Sequence, residues 1–184
     1  VRIGLAEPDD AALFATPSGD ALLATIDAFR AFTDDPWWVG RVAAVNAVSD
    51  VLAKGGRARH ALALVNVPES DPLRGEETLY QVLAGVRTAL DPLGVSLVGG
   101  HTTQGGELYV GLAITGELGG EPLLASGLAA GQSLVLSKPL GSGVLLAADM
   151  RGLLPGARLA PLYEGLARAN ADAARVAREV GATG

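Results

Sequence analysis

An α/β fold, a sheet with helices packed on one face, is the class this sequence predicts, and two observations predict it. Runs of strand length alternate with two long segments whose apolar residues recur at helical spacing. Of the 184 residues, 49% are hydrophobic and 18% are charged, which suits a buried core and argues against disorder. Aromatics make up only 4% and glycines number 25, so the interior is expected to be Val, Leu and Ala joined by tight turns.

The elements follow in order. "DALLATID" (20–27) is a short apolar run ending in Asp27 and reads as a strand. In "TDDPWWVGRVAAVNAVSDVLAKGG", Asp34 or Asp35 can cap a helix whose first turn holds Pro36, and Gly55-Gly56 end it. "RARHALALVNVP" (57–68) is a second strand that stops at Pro68. Residues 75–94 place Leu79, Val82, Leu83, Val86 and Leu90 on one helical face. "VSLVGGHTTQGG" (95–106) reads as a strand entering a glycine-rich bend, and "ELYVGLAITGEL" (107–118) as its hairpin partner. Beyond Gly119 the texture changes. "GQSLVLSKPLGSGVLLAADMRGLL" predicts a strand, a turn and a helix, and residues 157–180 a long helical pattern with a break near Pro161. One strand and two helices cannot close a core, so residues 1–119 are read as one domain and 120–184 as the incomplete beginning of a second.

Net charge is −6, which suits neither the phosphate backbone of nucleic acid nor an anionic membrane surface. The chain has no cysteine, so disulfides, thiolate zinc sites and cysteine nucleophiles are excluded within it, and a cytoplasmic protein is expected. No apolar run is long enough to span a bilayer, and no signal-peptide pattern opens the chain. The opening "VRIGLAEPDD" lacks an initiating Met, and the chain is expected to be a piece of a longer protein.

Packing leaves four polar groups unexplained: Asp9-Asp10, Asp27, Asn46 with Asp50, and Gly99-Gly100-His101-Thr102. Asn46 and Asp50 are four residues apart and share one helix face amid valines and alanines. Aspartates dispersed over loop, strand and helix, with two histidines in all, suit Mg²⁺ better than zinc, because Mg²⁺ takes a few carboxylates and completes its shell with water and phosphate. Glycines in a turn let backbone amides approach phosphate oxygens. Each group also has a plainer reading: a solvated loop, a turn start, a helix edge, a hairpin tip. On residue chemistry alone the reading stops at a Mg²⁺-phosphate site.

Taken together, "DDAALF" (9–14), "TIDAF" (25–29), "DDPWWVGRVAAVNAVSDVLAKGG" (34–56), "GGHT" (99–102), "GLAITG" (111–116) and "SKPLGSGVL" (137–145) resemble the ATP-binding half of the selenide, water dikinase (selenophosphate synthetase) family. That family belongs to the PurM-like superfamily, with aminoimidazole ribonucleotide synthetases, thiamine-monophosphate kinases and hydrogenase-maturation proteins. The resemblance implies a PurM-like sheet that dimerises into a β-barrel, and a reaction in which ATP, selenide and water give selenophosphate, AMP and phosphate. It implies Mg²⁺ ligands at Asp50 and at Asp9 or Asp10, an aspartate of the nucleotide-metal cluster at Asp27, and nucleotide contacts at Gly99, Gly100, His101 and Thr102 donated across a homodimer interface. Asn46 is placed beside Asp50 as its hydrogen-bonding neighbour. The family's catalytic cysteine or selenocysteine, its nearby lysine and its "DVTGFG"-type motif have no counterpart here, so no catalytic residue is assigned and the piece alone is expected to be inactive. The alternatives are another PurM-like ATP-dependent synthetase or kinase, and a non-catalytic nucleotide-binding dimerisation module of a larger fusion protein.

Overall fold

The computed structural model describes residues 1–126 and 128–184. Five strands, β1 (Ala12–Ala15), β2 (Ala21–Arg30), β3 (Arg57–Pro68), β4 (Ser96–Gly105) and β5 (Tyr109–Glu117), form one sheet in the order β1-β2-β5-β3-β4. Helices α1 (Pro36–Ala53) and α2 (Pro72–Leu90) cover one face, and α3 (Ser142–Asp149), α4 (Leu159–Leu166) and α5 (Ala171–Glu179) follow the sheet. β3 and β4 are parallel, joined through α2, and the other pairings are antiparallel. The α/β class is as expected, with one strand more than the sequence showed. β1 is only four residues long, and its Leu13 pairs with Leu23 of β2, both fully buried.

Three expectations about the sheet are corrected. β4 and β5 are not a hairpin: β5 enters between β2 and β3, while β4 lies outside β3. Two adjacent strand patterns look alike in sequence whether they pair with each other or with older strands, and here β3 offers a better-buried partner to each. The GGHT residues belong to extended β4 and not to a bend. Asp27 is not a strand end but an interior position, since β2 continues to Arg30.

Asp35, one of the two expected caps, accepts from the amides of Trp37 (3.0 Å) and Trp38 (3.4 Å), and Pro36 opens α1 where no amide donor is needed. α1 and α2 meet backbone to backbone. A Cβ on Gly40 would lie 2.0 Å from the Val82 carbonyl oxygen, and one on Gly85 2.0 Å from that of Trp37, so both positions require glycine. Val48, Val51, Val82 and Val86 from these helices close the core over Leu23, Val65, Leu112 and Ile114. The opposite face of the sheet is left open, with Ile26, Leu62, Leu64 and Val98 exposed.

Among the described residues no strand lies beyond Glu117, so the strand expected in "GQSLVLS" does not form. Leu134, Val135 and Leu136 stand exposed, because no neighbouring strand offers them a ladder. The helical pattern of 157–180 breaks between α4 and α5, not at Pro161, which sits in the first turn of α4 and is tolerated there. This segment still packs on the first: Tyr163 of α4 meets Phe32 and Trp38 edge-on or tilted at 5.5 Å, and Asn170 Nδ2 donates to Ser49 Oγ of α1 (3.0 Å). No described helix is long and apolar enough to cross a membrane.

Candidate functional site

The alternation of β2 turns Leu23, Thr25 and Asp27 toward α1 and leaves Ile26 on the open face. Across from them α1 presents Asn46 and Asp50. Two residues along a strand advance about 6.8 Å and four along a helix about 6 Å, so the two pairs come into register. Thr25 Oγ1 donates to Asp50 Oδ2 at 2.7 Å, and Asn46 Nδ2 donates to Asp27 Oδ2 in a close contact. Asn46 is therefore the neighbour of Asp27 and not of Asp50 as expected. Residues four apart on a helix point the same way, and each finds its partner on the facing strand.

The N-terminal aspartates approach the same end of α1. Burial pushes the Asp50 carboxyl above its ordinary value; the Thr25 hydrogen bond opposes this, and the charges of Asp27 and Asp10 add to the rise. Asp10 and Asp27 thus each lie within electrostatic reach of Asp50. Among the described residues no three His, Asp or Glu side chains come together closely enough to hold a metal ion by themselves.

Asp9 and Asp10 differ. Burial raises the Asp9 carboxyl, but the Lys54 ammonium and the amides of Asp10 and Ala125 outweigh it and hold it below its ordinary value. Asp9 Oδ1 accepts from Lys54 Nζ and from Asp10 N (2.8 Å), and Oδ2 accepts from Ala125 N (3.2 Å). Asp10 touches the same ammonium at 3.2 Å. Sequence reading missed Lys54, whose place before Gly55-Gly56 looks like an ordinary basic helix end. It also missed Thr25, for which the strand period relative to Asp27 was the available signal.

Gly99, Gly100, His101 and Thr102 are not gathered with the aspartates. β4 is the far edge strand, three interstrand spacings or roughly 14 Å from β2. A Cβ on Gly100 would lie 2.0 Å from the Ala63 carbonyl oxygen, which requires glycine where β4 presses on β3. A cavity of about 440 Å³ opens on the Asn46 side of α1, lined by Asn46, Ser49, Lys138, Leu140, Leu162 and Asn170. Burial, with the nearby Arg168 charge, holds the Lys138 ammonium below its ordinary value.

The comparisons agree on the family to which this helix-backed mixed sheet belongs. The chain belongs to the AIR synthase related proteins: the model of their N-terminal domain matches residues 8–118. It is 38% identical to the selenide, water dikinase of Nitratidesulfovibrio vulgaris over 183 residues, 98% of this chain and 51% of that protein. It is 38% identical to that of Myxococcus xanthus over 152 residues, 82% of this chain and 42% of that protein. The chain spans about half the length of the curated relatives it matches. Among solved structures it resembles AaThiL complexed with AMPPCP and TMP, with TM-score 0.75 and 25% identity over 92% of this chain and 56% of that one. The thiamine monophosphate kinase of Aquifex aeolicus shares the fold at TM-score 0.74, with 24% identity over 91% of this chain and 58% of that one.

Proposed function

We propose that this chain is the ATP- and Mg²⁺-binding portion of a selenide, water dikinase that makes selenophosphate from ATP, selenide and water. One observation carries the reading: Thr25 and Asn46 hold Asp50 and Asp27 on facing elements, and the charges of Asp27 and Asp10 both act on Asp50. An all-oxygen, all-carboxylate donor set matches a hard cation, which would offset both the burial that chiefly raises Asp50 and the charges of Asp27 and Asp10 that add to it. Mg²⁺ is commonly held by one or two carboxylates and completed by water and substrate phosphates.

In this reading Asp50 and Asp10 hold Mg²⁺, and Asp27, oriented by Asn46, faces the nucleotide-metal cluster. Mg²⁺ bound there would neutralise triphosphate charge, the main requirement of phosphoryl transfer. The protein's part is positioning: Thr25 fixes the Asp50 carboxylate, and the β2-α1 pairing keeps both acids from turning to solvent. Gly99, Gly100, His101 and Thr102 would contact nucleotide on a second copy, since β4 lies too far from β2 to serve its own site. The open apolar sheet face supports a homodimer that pairs two sheets into a barrel. Residues 120–184 are then part of a second PurM-like domain.

The AMPPCP and TMP bound by AaThiL favour a second reading, another PurM-like ATP-dependent kinase or synthetase. Calorimetric titration with ATP, with and without Mg²⁺, tests the shared claim. Binding that needs Mg²⁺ is expected, and its absence overturns both readings. Assaying the longer protein with selenide, thiamine monophosphate and formylglycinamidine ribonucleotide separates them; turnover with selenide alone is expected.

A further inference from the structure

Among the described residues Lys54 is the only charged or polar residue that is buried, at 1% exposure, and it sits where α1 ends. The partial negative charge of a helix C-terminus favours a cation there. Its ammonium lies between the two carboxylates that compete for a metal role, and these differ sharply. The Asp9 side chain is 6% exposed and has both oxygens engaged, by Lys54, Asp10 N and Ala125 N. The Asp10 side chain is 47% exposed, and Lys54 is its ion-pair partner.

We infer that Lys54 is an internal counter-cation that locks Asp9 as a structural anchor and competes with the divalent cation for Asp10. This rests on the reading that Asp10 and Asp50 hold Mg²⁺. An ammonium beside Asp10 offsets part of the negative charge that draws a divalent cation to that carboxylate, so Lys54 sets how tightly the site takes its cation. Asp9 stays with Lys54 throughout, because both of its oxygens are already engaged by Lys54 and two backbone amides. Lys54 is thus a positioning residue: it acts on the metal through Asp10 and meets neither metal nor nucleotide.

The test uses Mn²⁺ as probe, with free and bound ion counted by electron paramagnetic resonance in the presence of ATP. Lys54→Met keeps the length of the side chain and removes its charge. Mn²⁺ affinity is expected to rise about tenfold, the equivalent of about 1.4 kcal/mol. In an Asp10→Asn background the same substitution is expected to change it less than about twofold, equivalent to about 0.4 kcal/mol, which separates competition at Asp10 from the loss of a distant positive charge. Should Lys54→Met fail to fold, Lys54→Met with Asp9→Asn removes both buried charges and is expected to show the same gain. If Asp50→Asn weakens Mn²⁺ binding while the Lys54 variants leave it unchanged, the counter-cation role is overturned and the metal site stands. If the wild-type chain binds no Mn²⁺ with ATP, the metal reading falls and this inference with it.

Discussion

Thr25 Oγ1 on β2 donates a 2.7 Å hydrogen bond to Asp50 Oδ2 on α1, fixing a part-buried acid whose carboxyl is already raised by burial and by its acidic neighbours. A folded-state value above the ordinary 3.8 means that this group favours folding below that value. The contribution is lost as pH rises through the folded value. At neutral pH the ionised Asp50 therefore works against the fold. Asp50→Asn keeps an acceptor for Thr25 and removes the charge. The expected outcome is a melting temperature that is unchanged or slightly higher, with Mg²⁺-dependent ATP affinity at least about tenfold weaker. Calorimetry measures both; a large loss of stability at unchanged affinity would make Asp50 a packing residue.

Asn46 is exposed, and it meets Asp27 from one turn earlier on the same helix face. Losing one such hydrogen bond costs on the order of 1 kcal/mol, less where water can replace it. Asn46→Ala should therefore shift the urea midpoint little. It should weaken nucleotide binding by freeing Asp27 to turn outward. Equal affinities for the variant and the wild type would detach Asn46 from the site.

What the sequence revealed of this site was what lies close in the chain. Asn46 and Asp50 could be placed on one face because the helical period is local, and the capping Asp35 because its partners are two and three residues on. Their true partners, Asp27 and Thr25, were not legible as such, since the register of a strand against a helix is a tertiary fact. The same limit explains β5, whose pattern is plainly that of a strand while its place between β2 and β3 depends on long-range pairing. It also explains "GQSLVL", where strand propensity met no neighbour with which to pair. Lys54 was hidden for a different reason: a lysine beside two glycines reads as solvated until Asp9, 45 residues earlier, is brought against it.

Lys54 and Asp9 form a buried pair, and removing one partner leaves the other charged in a poorly solvated place. Lys54→Met alone should cost about 3 to 5 kcal/mol at neutral pH, while the double change with Asp9→Asn should recover much of that. The pH dependence has a definite sign. Asp9 is held below its ordinary 3.8, so its contribution is present above that value and is lost as pH falls through the folded one. Urea midpoints of the wild type should lose this term as pH falls from the ordinary 3.8 through the lower folded value, and those of the double variant should not. Asp50 contributes in the opposite sense in both proteins, and more strongly in the double variant, which lacks the Lys54 charge that lowers it.

The open sheet face supplies the last expectation. Ile26 is 71% exposed on β2, and across β5 on the same face Leu62, Leu64 and Val98 are exposed on β3 and β4, with no described helix over them. A monomer rarely keeps such a surface bare, and an unpaired β4 edge adds unmet backbone donors and acceptors. A second copy laid sheet to sheet would cover the apolar layer. Sedimentation at micromolar concentration should show a dimer for the wild type. Ile26→Glu, which leaves the buried core untouched, should shift it to monomer and weaken ATP binding together. A clean wild-type monomer that still binds Mg²⁺-ATP would show instead that each copy completes its own site.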